Sequence, residues 1–128
     1  MGMIPKRFLP PIKDTLAVFL SGAGVDISLG DTETIEAPYD FTLDYAWIAI
    51  TDAPDVGSVI VDIKKNGVSI VSTKAEIQSG EFSSLTGVAP VFTDVNFVKG
   101  DRITHNIFQT GSVEAGRSLR AYLEVTKV

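Results

Sequence analysis

The chain has no cysteine, which excludes disulfide bonds and thiolate metal sites. It also has very little histidine, because His105 is the single one among 128 residues. Apolar runs are short, and none approaches the ~20 residues that a membrane-spanning helix needs. No segment carries the 3.6-residue apolar periodicity of an amphipathic helix. At this length we expect one domain that buries enough surface to fold without covalent or metal cross-links.

Basic residues are few and unevenly placed. The formal net charge is -5, from 11 basic and 16 acidic residues. Lys6, Arg7 and Lys13 precede Asp14, so the rest of the chain carries 8 basic residues (11 - 3) against 16 acidic ones. Such an acidic body lacks the clustered Lys and Arg that phosphate contacts require. We therefore predict no nucleic-acid partner, and no membrane partner either.

Alternating apolar and polar residues predict a series of short β-strands. The clearest signal is the stretch 57–73, GSVIVDIKKNGVSIVST, where Asn66-Gly67 separates two β-branched runs. Both residues of this pair accept the positive φ angles of a tight hairpin turn, so strand, turn and strand are predicted. The other predicted strands are 15–21, 25–29, 32–37, 41–51, 88–93, 95–98, 102–110 and 118–125.

Strands at intervals of roughly 8–12 residues are typical of an all-β sandwich or barrel. We predict a two-sheet antiparallel β-sandwich of jelly-roll type with about eight strands, because each sheet then buries one face against the other. The strand 41–51 is apolar on both faces, which predicts a central strand with Trp47 in the core. The last strand alternates cleanly, with inward positions at Leu119, Ala121, Leu123 and Val125.

The first thirteen residues, MGMIPKRFLPPIK, predict an extended N-terminal arm (1–13) ahead of the jelly-roll sandwich (14–128). Pro5, Pro10 and Pro11 prevent a regular helix and cannot donate to a sheet ladder. The arm either folds back over its own sandwich or docks on a neighbouring subunit, and we favour the second interpretation. The arm residues predicted to contact a partner are Ile4, Lys6, Arg7, Phe8, Leu9, Ile12 and Lys13.

No set of residues in the sequence points to catalysis. Nucleophilic chemistry needs an activated Ser, Thr or Cys beside a base. His105 alternates with Ile103 and Ile107, which predicts a core or inter-subunit hydrogen-bonding group instead of a base. Asp52 and Asp55 could bind calcium, but Asp and Pro are ordinary turn formers. We therefore predict that the protein is not an enzyme and has no catalytic residue, metal or cofactor.

Exposed aromatic side chains offer a different kind of site. Phe82 and Phe92 lie in loop-like stretches, and Tyr122 lies on the polar face of its strand. If these three rings converged, they would form a platform on which a sugar could stack. Phe82, Phe92 and Tyr122 are therefore the candidate glycan contacts.

Three stretches between Val59 and Val125 carry a resemblance: VIVDIKKNGVSI, FVKGDRITHNIFQTGS and AGRSLRAYLEV. Together they resemble a jelly-roll structural domain of tailed-phage and gene-transfer-agent virion proteins. In that family a VxIxKNGxSI hairpin precedes a GDxIxxxIxQxG strand and a final LxxxLxV strand. The matching positions are turn and core residues, so the resemblance is more specific for the fold than for a role.

The resemblance implies a non-enzymatic virion structural protein, either a capsid decoration or cement subunit or a head-spike base, attached through its N-terminal arm. The implied partners are major capsid, neck or tail proteins. The implied assembly is a homo-oligomer, with a trimer favoured, located in the virion after assembly in the host bacterial cytoplasm. The alternative is a carbohydrate- or receptor-binding β-sandwich module of a tail fibre or baseplate.

Overall fold

The computed structural model describes residues 10–128 and arranges them mainly in β-strands. The strands are, in chain order, β1 (Lys13–Phe19), β2 (Gly30–Glu36), β3 (Phe41–Ala49), β4 (Val59–Lys65), β5 (Val68–Ser69), β6 (Val71–Thr73), β7 (Ala75–Ile77), β8 (Val91–Phe92), β9 (Asn96–Phe97), β10 (Arg102–Gln109) and β11 (Arg120–Lys127). A short 3-10 helix, Ser84–Thr86, lies between β7 and β8. Within residues 10–128, no helix has the length and apolar character needed to cross a membrane.

Two antiparallel sheets form the body of the fold. The first sheet has the strand order β1-β11-β3-β9, and the second has the order β2-β10-β4-β5, with β7 also paired to β4. Strands β6 and β8 form a separate two-stranded ladder. Each main sheet has a buried apolar face and an outer face, as expected for sheets that pack on one another. The prediction of an all-β antiparallel sandwich is confirmed.

The core lies on the inner faces of the two sheets. In β11, Ala121, Leu123 and Val125 are almost completely buried, as their alternation predicted. The rings of Phe41 and Phe97 stack nearby with their centroids 4.7 Å apart. Burying each large apolar side chain contributes roughly 1.5–3 kcal/mol to folding, so this packing is the main source of stability.

Asn66 and Gly67 form the predicted tight turn, with φ angles of 50° and 84°. The hairpin continues only briefly, because β5 ends at Ser69. The next two residues, Ile70 and Val71, are both buried, and consecutive side chains of a regular strand point to opposite faces. The chain therefore bends at this point, and β6 pairs with β8 instead of continuing along β4.

The segment 25–29, predicted as a strand, is a loop with one isolated bridge between Asp26 and Arg117. Its first N–H donates to the carbonyl of Gly22 across 3.0 Å, which closes a turn. Ile27 is the buried residue of the loop, and its N–H donates to the carbonyl of Gly116. The alternation of apolar and polar residues in this segment therefore marks a loop that is anchored by one buried side chain, and not a strand.

A bulge in β3 reverses the predicted orientation of Trp47. Leu43 and Ala46 are both buried, so the inward face of the strand shifts by one residue between them. The pairing with β11 shifts at the corresponding point, between Glu124 and Val125. Trp47 consequently lies half-buried on the outer face, and the prediction that it belongs to the core is wrong.

The predicted arm falls largely outside the described residues. The arm residues that lie outside them are Ile4, Lys6, Arg7, Phe8 and Leu9. Ile12 is already part of the first sheet, because its carbonyl accepts a hydrogen bond of 2.8 Å from the N–H of Lys127. Lys13 is the first residue of β1. Strand pairing thus begins within the last two residues of the segment predicted as an arm.

We expect Leu123→Ala to lower the free energy of unfolding by about 2–5 kcal/mol, because Leu123 is 0% exposed and its truncation leaves a cavity. Urea denaturation monitored by Trp47 fluorescence measures this loss. The matched control is Val68→Ala in the hairpin, where the side chain is 68% exposed, and it should change stability by less than about 0.5 kcal/mol. Similar losses in both variants would contradict this assignment of the core.

Candidate functional site

The two main sheets differ in their outer faces, and this difference locates the candidate site. Tyr122 in β11 lies directly opposite Trp47 in β3, and Glu124 lies opposite Tyr45. On the other side of β11, β1 contributes Phe19, whose side chain is 74% exposed. We call this outer surface of the first sheet the aromatic face, and its members are Phe19, Tyr45, Trp47 and Tyr122.

Three rings of the aromatic face, those of Tyr45, Trp47 and Tyr122, form a contacting group. Trp47 and Tyr122 stack with a centroid distance of 5.0 Å and an interplanar angle of 15°. Tyr45 continues the group, with its centroid 6.0 Å from that of Trp47. Such aromatic pairs contribute about 0.5–1.5 kcal/mol beyond their buried area, so the rings fix one another on the sheet. The rings therefore form an ordered apolar surface although none of them lies in the core.

Charges of both signs border the aromatic face. Arg120 and Glu124 flank Tyr122 along β11 and point to the same side of the sheet. Nη1 of Arg120 donates to the Thr51 hydroxyl at 2.9 Å, which limits the movement of the guanidinium group. The face therefore has a positive group at one end and a negative group at the other.

The outer face of the second sheet is polar and internally bonded. Asp31 accepts a hydrogen bond of 2.8 Å from Asn106 and forms a 3.1 Å ion pair with Lys64. The Asn106 and Lys64 hydrogen bonds hold the pKa of Asp31 below its ordinary value. The hydroxyls of Thr34 and Thr104 share a further hydrogen bond of 2.6 Å. These groups satisfy one another, which is typical of a surface that stays in contact with water.

A shallow cavity of about 300 Å³ opens at one end of the sandwich. Its lining residues are Asp52, Ala53, Glu114, Gly116 and Arg117. Nε of Arg117 donates to Asp26 at 2.5 Å, and this hydrogen bond, with the surrounding carboxylates, raises the pKa of the guanidinium group. Among residues 10–128, no three His, Asp or Glu side chains converge in a way that could hold a metal ion. The cation of this cavity is already paired with carboxylates of its own chain.

His105 lies in the core, on the same inward face of β10 as Ile103 and Ile107. It is 1% exposed, and neither ring nitrogen has a hydrogen-bond partner within the described part of the chain. Desolvation lowers the pKa of His105 to about 4, although the charge of Asp62 opposes this shift. The predicted core position is confirmed, whereas the predicted hydrogen-bonding role is not found within the described chain. A neutral imidazole buried in this way is poorly placed to act as a general base.

The three candidate glycan contacts lie on different elements. Phe82 is exposed in the loop before the 3-10 helix, and Phe92 in β8 packs against the core. Tyr122 lies on the aromatic face, where its stacking partner is Trp47. The structure therefore brings Tyr122 together with Trp47 and Tyr45 instead of with Phe82 and Phe92. Sequence alternation could not reveal this, because both faces of 41–51 are apolar and the bulge decides which one is buried.

Comparison with known proteins identifies no family for this chain. No protein-family model matches it, and no curated protein matches it significantly. Among solved structures, the chain is similar to the NLP-core of Drosophila, whose crystal structure is described as providing insight into pentamer formation and histone binding. The two have 12% sequence identity, over 91% of this chain and 98% of that chain, with a TM-score of 0.44. At this level the likeness transfers neither pentamer formation nor histone binding to this chain.

The comparison corrects the predicted role. The prediction of a virion structural protein, and its alternative of a carbohydrate- or receptor-binding tail module, is wrong on this comparison, because the matched structure is a histone-binding core and not a phage protein. The predicted capsid, neck and tail partners and the favoured trimer are withdrawn on the same ground.

Acidification from about pH 6.5 to about pH 4 is expected to destabilise the fold through His105. The unfolded chain takes up a proton near the ordinary pKa of 6.5, whereas the folded chain does so only at about 4. Between these values the unfolded state binds more protons, so stability is complete above pH 6.5 and is progressively lost down to about pH 4. The total loss is about 3 kcal/mol, which urea denaturation across this pH range measures.

The control for this prediction is His105→Leu, which removes the titrating group and keeps an apolar side chain in the core. Its stability should be nearly constant across the same pH window. Asp14, Asp31, Asp94 and Asp101 do not obscure the comparison, because their pKa values lie below 3.8 in the folded state. The stability that these four carboxylates contribute is lost mainly below pH 4, outside the range in which His105 titrates. An unchanged pH dependence in His105→Leu would show that another group controls acid stability.

Proposed function

We propose that this chain is a non-enzymatic assembly module that forms a homo-oligomer by burying its aromatic face against a second copy. The observation that carries this proposal is the Trp47–Tyr122 stack, which is half-buried on an outer face that also carries the exposed ring of Phe19. Apolar area removed from water contributes roughly 25 cal/mol per Å². Aromatic residues are also enriched at the centres of protein interfaces.

The charges around the face support a second copy as the occupant. In a two-fold arrangement the same patch meets itself, so groups on opposite sides of the axis come together. When the axis passes near Tyr122, Arg120 of one copy approaches Glu124 of the other. The phenol and indole groups keep a polar edge that can still bond to water or to the partner. In that arrangement the face is complementary to itself in charge.

A non-enzymatic role is supported by the positions of the groups that could do chemistry. His105 is buried and neutral at physiological pH. Arg117, the cation of the end cavity, is paired with Asp26. Nucleophilic catalysis requires a base that substrate can reach beside the nucleophile, and His105, the single histidine, is 1% exposed. The proposed module accordingly acts without a cofactor.

We also propose that the sandwich is a jelly roll. If β1, β2, β3, β4, β7, β9, β10 and β11 are counted as strands one to eight, the sheets have the orders 1-8-3-6 and 2-7-4-5. Successive strands along the chain thus alternate between the two sheets at most steps, as in a double Greek key. This order supports the fold that the resemblance of residues 59–125 implies. The virion role that accompanied the resemblance forms no part of the proposal.

The double variant Trp47→Thr/Tyr122→Thr is expected to convert the oligomer to a monomer. Threonine keeps the strand propensity of both positions while removing the stacked rings, and neither side chain belongs to the core. Light scattering coupled to size-exclusion chromatography at about 100 μM measures the mass. Circular dichroism should show an unchanged β signal.

The matched control is Phe108→Thr. Phe108 is a 59% exposed aromatic residue on the outer face of the second sheet, so its substitution removes a comparable ring from the polar side. This variant should retain the mass of the wild-type protein. A monomeric wild-type protein, or equal dissociation of both variants, would overturn the proposed assembly.

A further inference from the structure

The turn between β4 and β5 presents an asparagine directly before a glycine at the protein surface. Asn66 and Gly67 are both exposed, and they form a two-residue loop because Lys65 pairs with Val68. Their φ angles of 50° and 84° are those of a type I′ turn. The amide side chain of Asn66 therefore lies next to a backbone nitrogen that has no side chain of its own residue to shield it.

Three hydrogen bonds fasten Asn66 to the start of β10. Its amide nitrogen donates to the Asp101 carboxylate at 3.0 Å, and its amide oxygen accepts from the N–H of Arg102 at 2.9 Å. Its backbone N–H donates to the carbonyl of Arg102 at 2.8 Å. Asp101 is itself held, because its second carboxylate oxygen accepts from the N–H of Val98 at 2.9 Å. The side chain of Asn66 is thus fixed at both of its polar ends.

An asparagine followed by glycine can lose its amide group by deamidation, without an enzyme or a cofactor. The nitrogen of Gly67 attacks Cγ of Asn66, so that an N–Cγ bond forms and the Cγ–Nδ2 bond breaks. The departing nitrogen takes up the proton of the Gly67 N–H and leaves as ammonia. Water then opens either carbonyl of the resulting succinimide ring, which gives aspartate or isoaspartate with no oxidation or reduction.

The folded turn opposes this reaction. A succinimide ring is nearly flat, so Cβ of Asn66 and the nitrogen of Gly67 must lie on the same side of the Cα–C bond between them. In a type I′ turn the ψ angle at the first loop residue is about +30°, which places these two atoms on opposite sides. Ring closure therefore requires Asn66 to rotate out of the turn conformation, and its bonds to Asp101 and Arg102 resist that rotation.

We propose that Asn66 is a deamidation site whose rate is set by the fold. While the hairpin is closed, the turn and the bonds to Asp101 and Arg102 keep the amide intact. Each opening of the hairpin frees Asn66 to react with Gly67. The site lies in the second sheet and goes beyond the proposed assembly, because its chemistry does not require burial of the aromatic face.

Deamidation would loosen the same junction that protects the amide. The N–H of Val98 and the amide of Asn66 hold the pKa of Asp101 below its ordinary value, so Asp101 is charged at neutral pH. An aspartate at position 66 would replace the donor that faces Asp101 with a second negative charge, and like charges repel. Isoaspartate would add a methylene group to a loop whose length fixes the register of the hairpin. Modified chains should therefore open at this hairpin more often than unmodified ones.

The other two asparagines of the chain serve as internal controls. Asn96 precedes Phe97, and Asn106 precedes Ile107, so a bulky side chain stands beside each attacking nitrogen. Phe97 and Ile107 also belong to strands β9 and β10. These two sites should remain unmodified under conditions in which Asn66 reacts.

The test compares the folded chain with the same chain unfolded in urea, both kept at neutral pH. Peptide mapping by mass spectrometry follows the amide-to-acid mass change at each asparagine, and chromatography separates aspartate from isoaspartate. We expect Asn66 to react readily in urea and to be strongly protected in the folded protein. Equal rates in the two states, no reaction at Asn66 in urea, or equal reaction at Asn96 or Asn106 would each overturn the proposal.

A pair of matched variants tests the role of the hydrogen bonds. Asp101→Ala removes the acceptor of the Asn66 amide, and it should speed deamidation of the folded chain by roughly two- to tenfold, the factor that one hydrogen bond is worth. Asp94→Ala is the control, because Asp94 also accepts a backbone N–H, that of Asn96, and pairs with Lys65 but does not bond to Asn66. It should leave the rate unchanged. A rate in Asp101→Ala no higher than in Asp94→Ala would contradict the protective role of Asp101.

Discussion

Packing of the two apolar sheet faces against each other is the constraint on which the other features depend. Because side chains alternate along a strand, burying Leu123 and Val125 places Tyr122 on the outside. Trp47 reaches the same surface because the bulge in β3 keeps both Leu43 and Ala46 inside. The aromatic face is therefore a consequence of how the core is filled, and a shift of one residue in either strand would remove it.

The sequence predicted the features that local chemistry determines. The turn at Asn66-Gly67 and the orientation of β11 follow from φ tolerance and strict alternation, and both are confirmed. The outward position of Trp47 was not predictable, since 41–51 is apolar on both faces and a bulge leaves no mark in such a run. The segment 25–29 alternates like a strand, yet within residues 10–128 its only ladder contact is one isolated bridge, between Asp26 and Arg117. Which segments pair depends on the tertiary structure, and the periodicity of the sequence does not predict it.

The functional prediction failed for a related reason. The resemblance depended on residues such as Asn66, Gly67 and Gly100, which satisfy turns that many β-sandwiches need. Such positions describe how a chain folds and contain little information about what its surfaces contact. The residues of the candidate site have the opposite character, because Phe19 and Trp47 can vary without disturbing a turn or the core. Predicting a role requires knowing which side chains lie together on the surface. That grouping follows from the strand register, which the sequence alone does not give.

The hydrogen-bonded outer face of the second sheet has a consequence for the size of any assembly. Its carboxylates, amides and hydroxyls already bond to one another, so covering them would displace water from charged groups without supplying them with new partners. Association through the aromatic face would leave this polar layer on the outside of the assembly. The molecule thus has one side that can self-associate and one that stays in water, which favours a closed two-fold pair over a fibre.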